Sequence, residues 1–195
     1  MKILQNIIIA LIFSSVFGCS FQSKQYNFIS NALSNKNRDG PTPNWVIDWV
    51  GMKIRVFAIN SENQIFFANY DDYFLAFDGW QIIEAKGFMP QKNVIKIEVN
   101  DNNLTYMLNK KILATDLCES WSVTIDKKTN FILHEQICYA AGTDYNYTNL
   151  FVLNKENQII ALKYKIHPDY SPMQLTMDEY TRLDLDRYNT EKIKK

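Results

Sequence analysis

A chain of 195 residues with 47% hydrophobic and 14% aromatic content is long and apolar enough to form one globular domain around a substantial core. Its 21 basic and 21 acidic residues cancel. No net field therefore draws nucleic acid or an acidic membrane surface, and nucleic-acid binding is excluded on that ground.

Residues 1–18 read as a signal peptide: Lys2 supplies a weakly basic lead, Ile7 to Phe13 an apolar stretch, and Ser14-Ser15-Val16-Phe17-Gly18 a small-residue exit. The apolar stretch is short for a membrane-spanning helix. Val16-Phe17-Gly18-Cys19 resembles the bacterial lipobox, which implies that Cys19 is lipidated and becomes the mature N-terminus. The alternatives are an ordinary signal peptide or an uncleaved anchor. More than one acyl chain on Cys19 would hold the protein stably on a membrane. Ser20, where an Asp is absent, resembles an outer-membrane address in Gram-negative lipoproteins.

Residues 19–44 are rich in Ser, Asn, Gln and Lys and end in Asp39-Gly40-Pro41-Thr42-Pro43, the composition of a tether. Tyr26, Phe28, Ile29, Ala32 and Leu33 have approximate helical spacing and predict a short N-terminal helix within it. From Trp45 the pattern is strand after strand, with Lys53 to Ile59, Gln64 to Tyr70, Tyr73 to Phe77 and Trp80 to Glu84 separated by polar turns. Val94 to Val99, Leu104 to Leu108 and Lys111 to Leu117 continue it, and Met173 to Tyr180 is the last strand. No long helical period interrupts the series. The fold class is therefore mainly all-β: a single domain over residues 45–183, an antiparallel meander curled into a sandwich or half-open barrel. A charged tail, residues 184–195, is expected to fray or form a short helix.

The stretch from Cys118 to Cys138 specifies its own pairing. Trp121, Val123 and Ile125 alternate with Ser and Thr, as do Phe131 and Leu133 across the break Asp126 to Asn130. A turn centred on Lys128 sets Cys118 opposite Cys138. In an oxidising compartment this predicts a disulfide worth roughly 3 kcal/mol of chain entropy. Two free buried cysteines are the alternative, and a metal site lacks the further His or Cys ligands it needs.

Catalytic chemistry finds little footing. In the same register Glu119 opposes Ile137 and Glu135 opposes Trp121, which puts the two carboxylates on opposite faces and argues against a glycosidase pair. Asp71-Asp72 reads as a solvated loop. His134 shares a face with Ser122, yet no Gly-x-Ser-x-Gly elbow accompanies them, and His167 stands beside Pro168 at a strand end. No catalytic residue, cofactor or metal ligand is assigned. Aromatic residues are in surplus: most belong to the core, while Tyr139, Tyr145, Tyr147 and Tyr170 form a candidate binding surface for a glycan or a protein.

Glu135-Gln136-Ile137-Cys138, Asn149-Leu150-Phe151-Val152-Leu153, Asn157-Gln158-Ile159 and Tyr164-Lys165-Ile166-His167-Pro168 resemble the corresponding segments of the YjbF/GfcB family of Gram-negative lipoproteins. Gly79-Trp80-Gln81-Ile82-Ile83 and Gly87 are similar to a Gly-led strand and a later glycine there. The resemblance runs from about Val56 to Met177, with Phe151 where Trp or Tyr is commoner and Glu156-Asn157 where Asp-Gly is commoner. It implies a periplasmic role in capsule or exopolysaccharide production or export, with polysaccharide or export proteins as partners, and it implies no catalytic residues. The second reading is a carrier of a lipid or other apolar ligand inside a half-open barrel, and the third is a glycan-active enzyme.

Overall fold

The computed structural model describes residues 44–61, 64–78, 81–89 and 93–188. Cys19, the signal peptide, the tether with its predicted helix, Gly79, Trp80 and the end of the charged tail lie outside them. Thirteen strands are described: β1 (Trp45–Trp49), β2 (Met52–Ser61), β3 (Gln64–Ala68), β4 (Phe74–Asp78), β5 (Gln81–Lys86), β6 (Val94–Asn100) and β7 (Asn103–Leu108), followed by β8 (Lys111–Cys118), β9 (Ser122–Ile125), β10 (Ile132–Tyr139), β11 (Asn146–Leu153), β12 (Ile159–Tyr164) and β13 (Met173–Met177).

Apart from β8 and β9, which both pair with β10, each strand pairs antiparallel with its neighbour in sequence, and the meander then closes: Trp45 of β1 stands opposite Met177 of β13. The sheet is thus a closed barrel of twelve strands rather than a sandwich or a half-open barrel. Closure removes the two edges that an open meander would leave exposed. The thirteenth strand, β9, is an extension of the wall. Both β8 and β9 pair with β10, β8 at Cys138 and Tyr139 and β9 from Ile132 to Glu135.

The interior is built by the period-2 pattern. Trp45, Ile47 and Trp49 of β1, Ile54 and Val56 of β2, Phe67 of β3, Leu75 and Phe77 of β4, and Ile95 and Ile97 of β6 enter one contiguous apolar cluster, joined by Phe151, Leu162, Tyr164 and Leu175. Asp48, Lys53, Arg55, Lys96 and Glu98 alternate with them and are exposed. These strands carry charge where a lipid-embedded barrel would carry an apolar band.

A second, smaller cluster lies on the outer face of β10, β11 and β12, where Leu133, Leu150, Val152, Ile160 and Ala161 are covered by Leu185 and Tyr188. The covering segment follows β13 and contains two short 3-10 turns, Asp178–Tyr180 and Asp186–Tyr188. Arg187 and the Tyr188 hydroxyl reach the Asp126 carboxylate at 2.9 and 3.1 Å, and Lys163 reaches Asp186 at 2.6 Å. The start of the predicted tail, Asp184 to Tyr188, is therefore a strap that includes a short 3-10 helix, the second of the two forms expected of it. This explains why β11 is buried on both faces from Tyr147 to Leu153.

Around the barrel the turns gather at two ends. The near end, where β1 begins, holds Asn100–Asn103, Asp126–Asn130 and Asn154–Gln158. The far end, where β1 turns into β2, holds the Val50-Gly51 and Asn109-Lys110 turns and the loops Asn69–Tyr73, Ala140–Tyr145 and Lys165–Ser171. Val50 and Gly51 both have positive φ, 50° and 76°, the conformation a two-residue hairpin of matching twist requires.

Candidate functional site

The far end carries a layer of aromatic rings. Phe88 packs edge-on against Tyr73 and Trp49, with centroids 5.4 and 5.8 Å apart, and Trp49 meets Tyr170 at 5.2 Å. Tyr170 in turn lies 4.9 Å from the His167 ring. The Trp49 indole N–H donates to the Ser171 carbonyl at 2.9 Å, which pins the loop after β12 to the end of β1. Gly87, at φ +89°, allows the chain before Phe88 to pass against the Asn69–Tyr73 loop: a Cβ there would sit 2.7 Å from the Asp72 carbonyl oxygen.

Beside this layer lies a buried ion pair. Asp116 of β8 and Lys165, just past β12, are each 1% exposed, with Nζ 3.5 Å from Oδ2. The carboxylate also accepts the Ala141 N–H at 3.0 Å and the Tyr147 hydroxyl at 2.7 Å, and Tyr106 and Tyr147 share a hydroxyl–hydroxyl hydrogen bond of 3.0 Å. Burial, aided by the Asp116 charge, pushes the phenols of Tyr106 and Tyr147 well above the ordinary tyrosine range. Both therefore stay protonated; with Tyr147 donating to the carboxylate, its oxygen is left to accept from Tyr106. The Lys165 ammonium stands 4.3 Å from the Tyr147 ring centroid and 5.6 Å from that of Tyr145, within the range of cation–π attraction. A charge pair so fully removed from water persists only where such additional bonds compensate for its lost hydration.

The pair is wired to the cysteine hairpin. The Lys165 N–H donates to Asn149 Oδ1 at 3.0 Å, Asn149 Nδ2 donates to Gln136 Oε1 at 3.4 Å, and Gln136 Nε2 donates to the Glu119 carbonyl at 3.2 Å. Asn149 Nδ2 also lies 3.6 Å from the Cys138 sulfur. Cys118 and Cys138 face each other in register and are joined by a disulfide, their Cα atoms 4.0 Å apart.

Beyond that pair the register shifts by one residue. Glu135 stands opposite Ser122 rather than Trp121, so residues 119–121 contain an extra residue, and His134 faces Val123. Ser122 and His134 are therefore not cross-strand neighbours; the Ser122 hydroxyl donates to the Glu135 carbonyl instead. Glu119, whose N–H donates to the Ile137 carbonyl, accepts the Tyr139 hydroxyl, and Glu135, Ile137 and Tyr139 alternate onto one face of β10, so Glu119 and Glu135 lie on the same face rather than on opposite ones. Asp71 and Asp72 are exposed in a loop whose N–H groups at Asp71 and Tyr73 donate to Asn69 Oδ1.

The four tyrosines singled out in the sequence do not form one exposed cluster. Tyr145 is 51% exposed and Tyr170 37% exposed, both at the far end. Tyr147 is buried beneath Tyr145, the two rings stacked at 6.3 Å, and Tyr139 lies on the outer wall. Tyr70, exposed in the Asn69–Tyr73 loop, joins the far end and was not anticipated. Neither were Asp116 and Lys165: a lone charge inside an apolar run carries no sign of the partner it will meet across the barrel. His167 is held neutral, because burial, together with the nearby Lys165 charge, lowers its pKa against the opposing pull of Asp169; its Nδ1 accepts the Asp169 N–H at 3.1 Å.

No protein-family model matches the chain, and no curated protein matches it. Among solved structures, the chain is similar to the hypothetical lipoprotein YmcC from Escherichia coli K12, with a TM-score of 0.48 and 11% sequence identity over 80% of this chain and 97% of that one.

Proposed function

We propose that this chain is a non-enzymatic lipoprotein, anchored through Cys19 in the outer membrane and facing the periplasm, which assists capsule or exopolysaccharide production or secretion. Its barrel end binds the glycan or an export protein. The observation that carries this reading is the far end itself: Tyr145 and Tyr170 present exposed rings on a rigid layer of buried aromatics and a compensated ion pair. Flat rings held in fixed orientation suit the apolar faces of sugar rings and the anchor residues of a protein partner. The process is taken from the lipobox and from the resemblance of Glu135 to Cys138, Asn149 to Leu153 and Tyr164 to Pro168 to the YjbF/GfcB family. The carrier reading draws no support from the interior, which Trp45, Phe77, Tyr106, Phe151 and Tyr164 occupy as part of one contiguous cluster.

The test is complementation. Removing the gene should lower surface polysaccharide, wild type should restore it, and the Tyr145→Ala, Tyr170→Ala double variant should be present at normal level yet fail to restore it. Unchanged polysaccharide in the deletion strain would remove the process. Full rescue by the double variant would remove the far end as the binding face.

A further inference from the structure

The loop after β12 is tied down on both sides of Tyr170. His167, 6% exposed, ends a buried run, and the Ser171 carbonyl accepts the Trp49 indole N–H at 2.9 Å. Between these points Pro168, Asp169 and Tyr170 form a short turn, and one ring nitrogen holds it in place. Nδ1 of His167 accepts the Asp169 N–H at 3.1 Å, so the proton of the neutral imidazole sits on Nε2.

The same nitrogen has a second neighbour. Asp169 Oδ2 lies 3.9 Å from Nδ1, too far for a hydrogen bond, on a side chain that is 82% exposed. A neutral ring uses the N–H of Asp169; a protonated ring cannot, because two donors would then face each other. The acceptor beside it is the Asp169 carboxylate, and a charge-assisted bond to that group closes to about 2.8 Å, which moves the turn by about 1 Å. Pro168 has a fixed φ, so the movement falls on Asp169 and Tyr170. The Tyr170 ring meets the His167 ring at 4.9 Å and the Trp49 ring at 5.2 Å.

We propose that His167 is a proton-driven switch of the far end. With the ring neutral, the Asp169 N–H faces it and Tyr170 is held edge-on against Trp49; with Nδ1 protonated, the Asp169 carboxylate takes the place of the N–H and the turn carries Tyr170 away from Trp49. The charges around the ring set where this happens. Besides Asp169, in the turn itself, they are the Lys165 ammonium at the end of β12 and, behind it, the Asp116 carboxylate of β8 that pairs with Lys165. The end of β1 brings Trp49, which is uncharged. Burial and the Lys165 charge outweigh Asp169, so the neutral form holds at neutral pH and the switch operates below the ordinary histidine value of about 6.5. Recognition at the far end is then confined to neutral pH. That consequence alone rests on the far end being the binding face.

The test follows the full chain, purified in detergent with its histidine and tyrosine rings isotope-labelled, by NMR from about pH 7.5 to about pH 4.5. The His167 imidazole is expected to titrate below about pH 6.5, and the Tyr170–Trp49 contact, seen as a nuclear Overhauser effect, to disappear with the same midpoint. The stacked contact of Tyr145 with Tyr147 should persist throughout. His167→Gln, uncharged at every pH, should keep the Tyr170–Trp49 contact over the whole range. Asp169→Asn should move the midpoint down by roughly 0.5 unit, and His134→Gln, at the other histidine of the chain, should not move it. A Tyr170–Trp49 contact that survives the His167 titration would overturn the proposal, as would simultaneous loss of the Tyr145–Tyr147 contact, which marks general acid unfolding. No ligand enters the measurement, so full rescue of polysaccharide by the Tyr145→Ala, Tyr170→Ala variant would remove the binding face and leave the switch standing on its own result.

Discussion

The two ends of the barrel are made from the same strands and are finished in opposite ways. At the far end, among the described residues, Trp49, Phe88, Tyr170 and His167 form a ring-to-ring layer, and Asp116, Lys165, Tyr147 and Tyr106 form a buried, hydrogen-bonded polar cluster beside it. At the near end Val123 and Ile125 continue the inward pattern past the height of the neighbouring hairpin and reach solvent, with β10 on one side and no strand on the other among the described residues. A rigid surface suits recognition of a fixed shape, and an unfinished edge suits recognition by backbone pairing. The difference arises from chain length around the wall: the loops Ala140–Tyr145 and Lys165–Ser171 fold over the far end, whereas β9 outruns the Asn100–Asn103 turn.

Substitution can break this contrast. The largest effect is expected from Asp116→Ala, which leaves the Lys165 charge buried without its partner and should cost about 3–5 kcal/mol in denaturant unfolding; Asp116→Ala together with Lys165→Met should recover part of that loss. Next, Cys138→Ser removes the link between β8 and β10 and should cost roughly 3 kcal/mol, read as a lower urea midpoint under non-reducing conditions. Gly87→Ala forces a Cβ against the Asp72 carbonyl at positive φ and should cost about 1–3 kcal/mol, seen in thermal unfolding.

Acidification acts on the far end through His167. Its folded pKa lies below the unfolded value, so its contribution is present above about pH 6.5 and is lost as pH falls through the folded pKa. His167→Gln should flatten that part of the stability profile, measured by urea midpoints from neutral to mildly acidic pH. At the near end, by contrast, Val123→Lys should change stability by no more than about 0.5 kcal/mol, because its side chain is already in water. A large loss there would mean that the edge is structurally occupied and the contrast between the ends is wrong.

How much of this could be read from the residues depends on whether the signal is local. The pairing of Cys118 with Cys138 was legible because alternation on both strands and a polar break fix the register between them. The slip that sets Ser122 opposite Glu135 was not, since an extra residue at 119–121 leaves the alternating pattern from Trp121 to Ile125 intact. Tyr147 looked like a surface residue because β11 has no polar face to mark its phase; the core buries one side and the strap from Asp178 to Tyr188 buries the other. Closure of β1 on β13 depends on contacts between the two extremes of the domain, and neither strand advertises the other. Asp116 and Lys165 are similarly silent, each charge being explained only by the other. The disulfide and the meander were thus readable, while the binding face was half readable: Tyr145 and Tyr170 were named, but the layer that holds them was not.

The pairing of Trp45 with Met177 also sets a schedule for folding. A chain delivered across a membrane from its N-terminus would expose β1 first, and β1 would then wait with one side unpaired until nearly the whole domain had followed. Hairpins such as β7–β8 can form as they emerge, but the final seam depends on the last strand to arrive, which makes this a high-contact-order and correspondingly slow closure. During that interval the apolar face of β1, with Trp45, Ile47 and Trp49, is open to capture by other chains. Truncation just before Met173 would therefore yield a species that aggregates rather than one that is merely less stable.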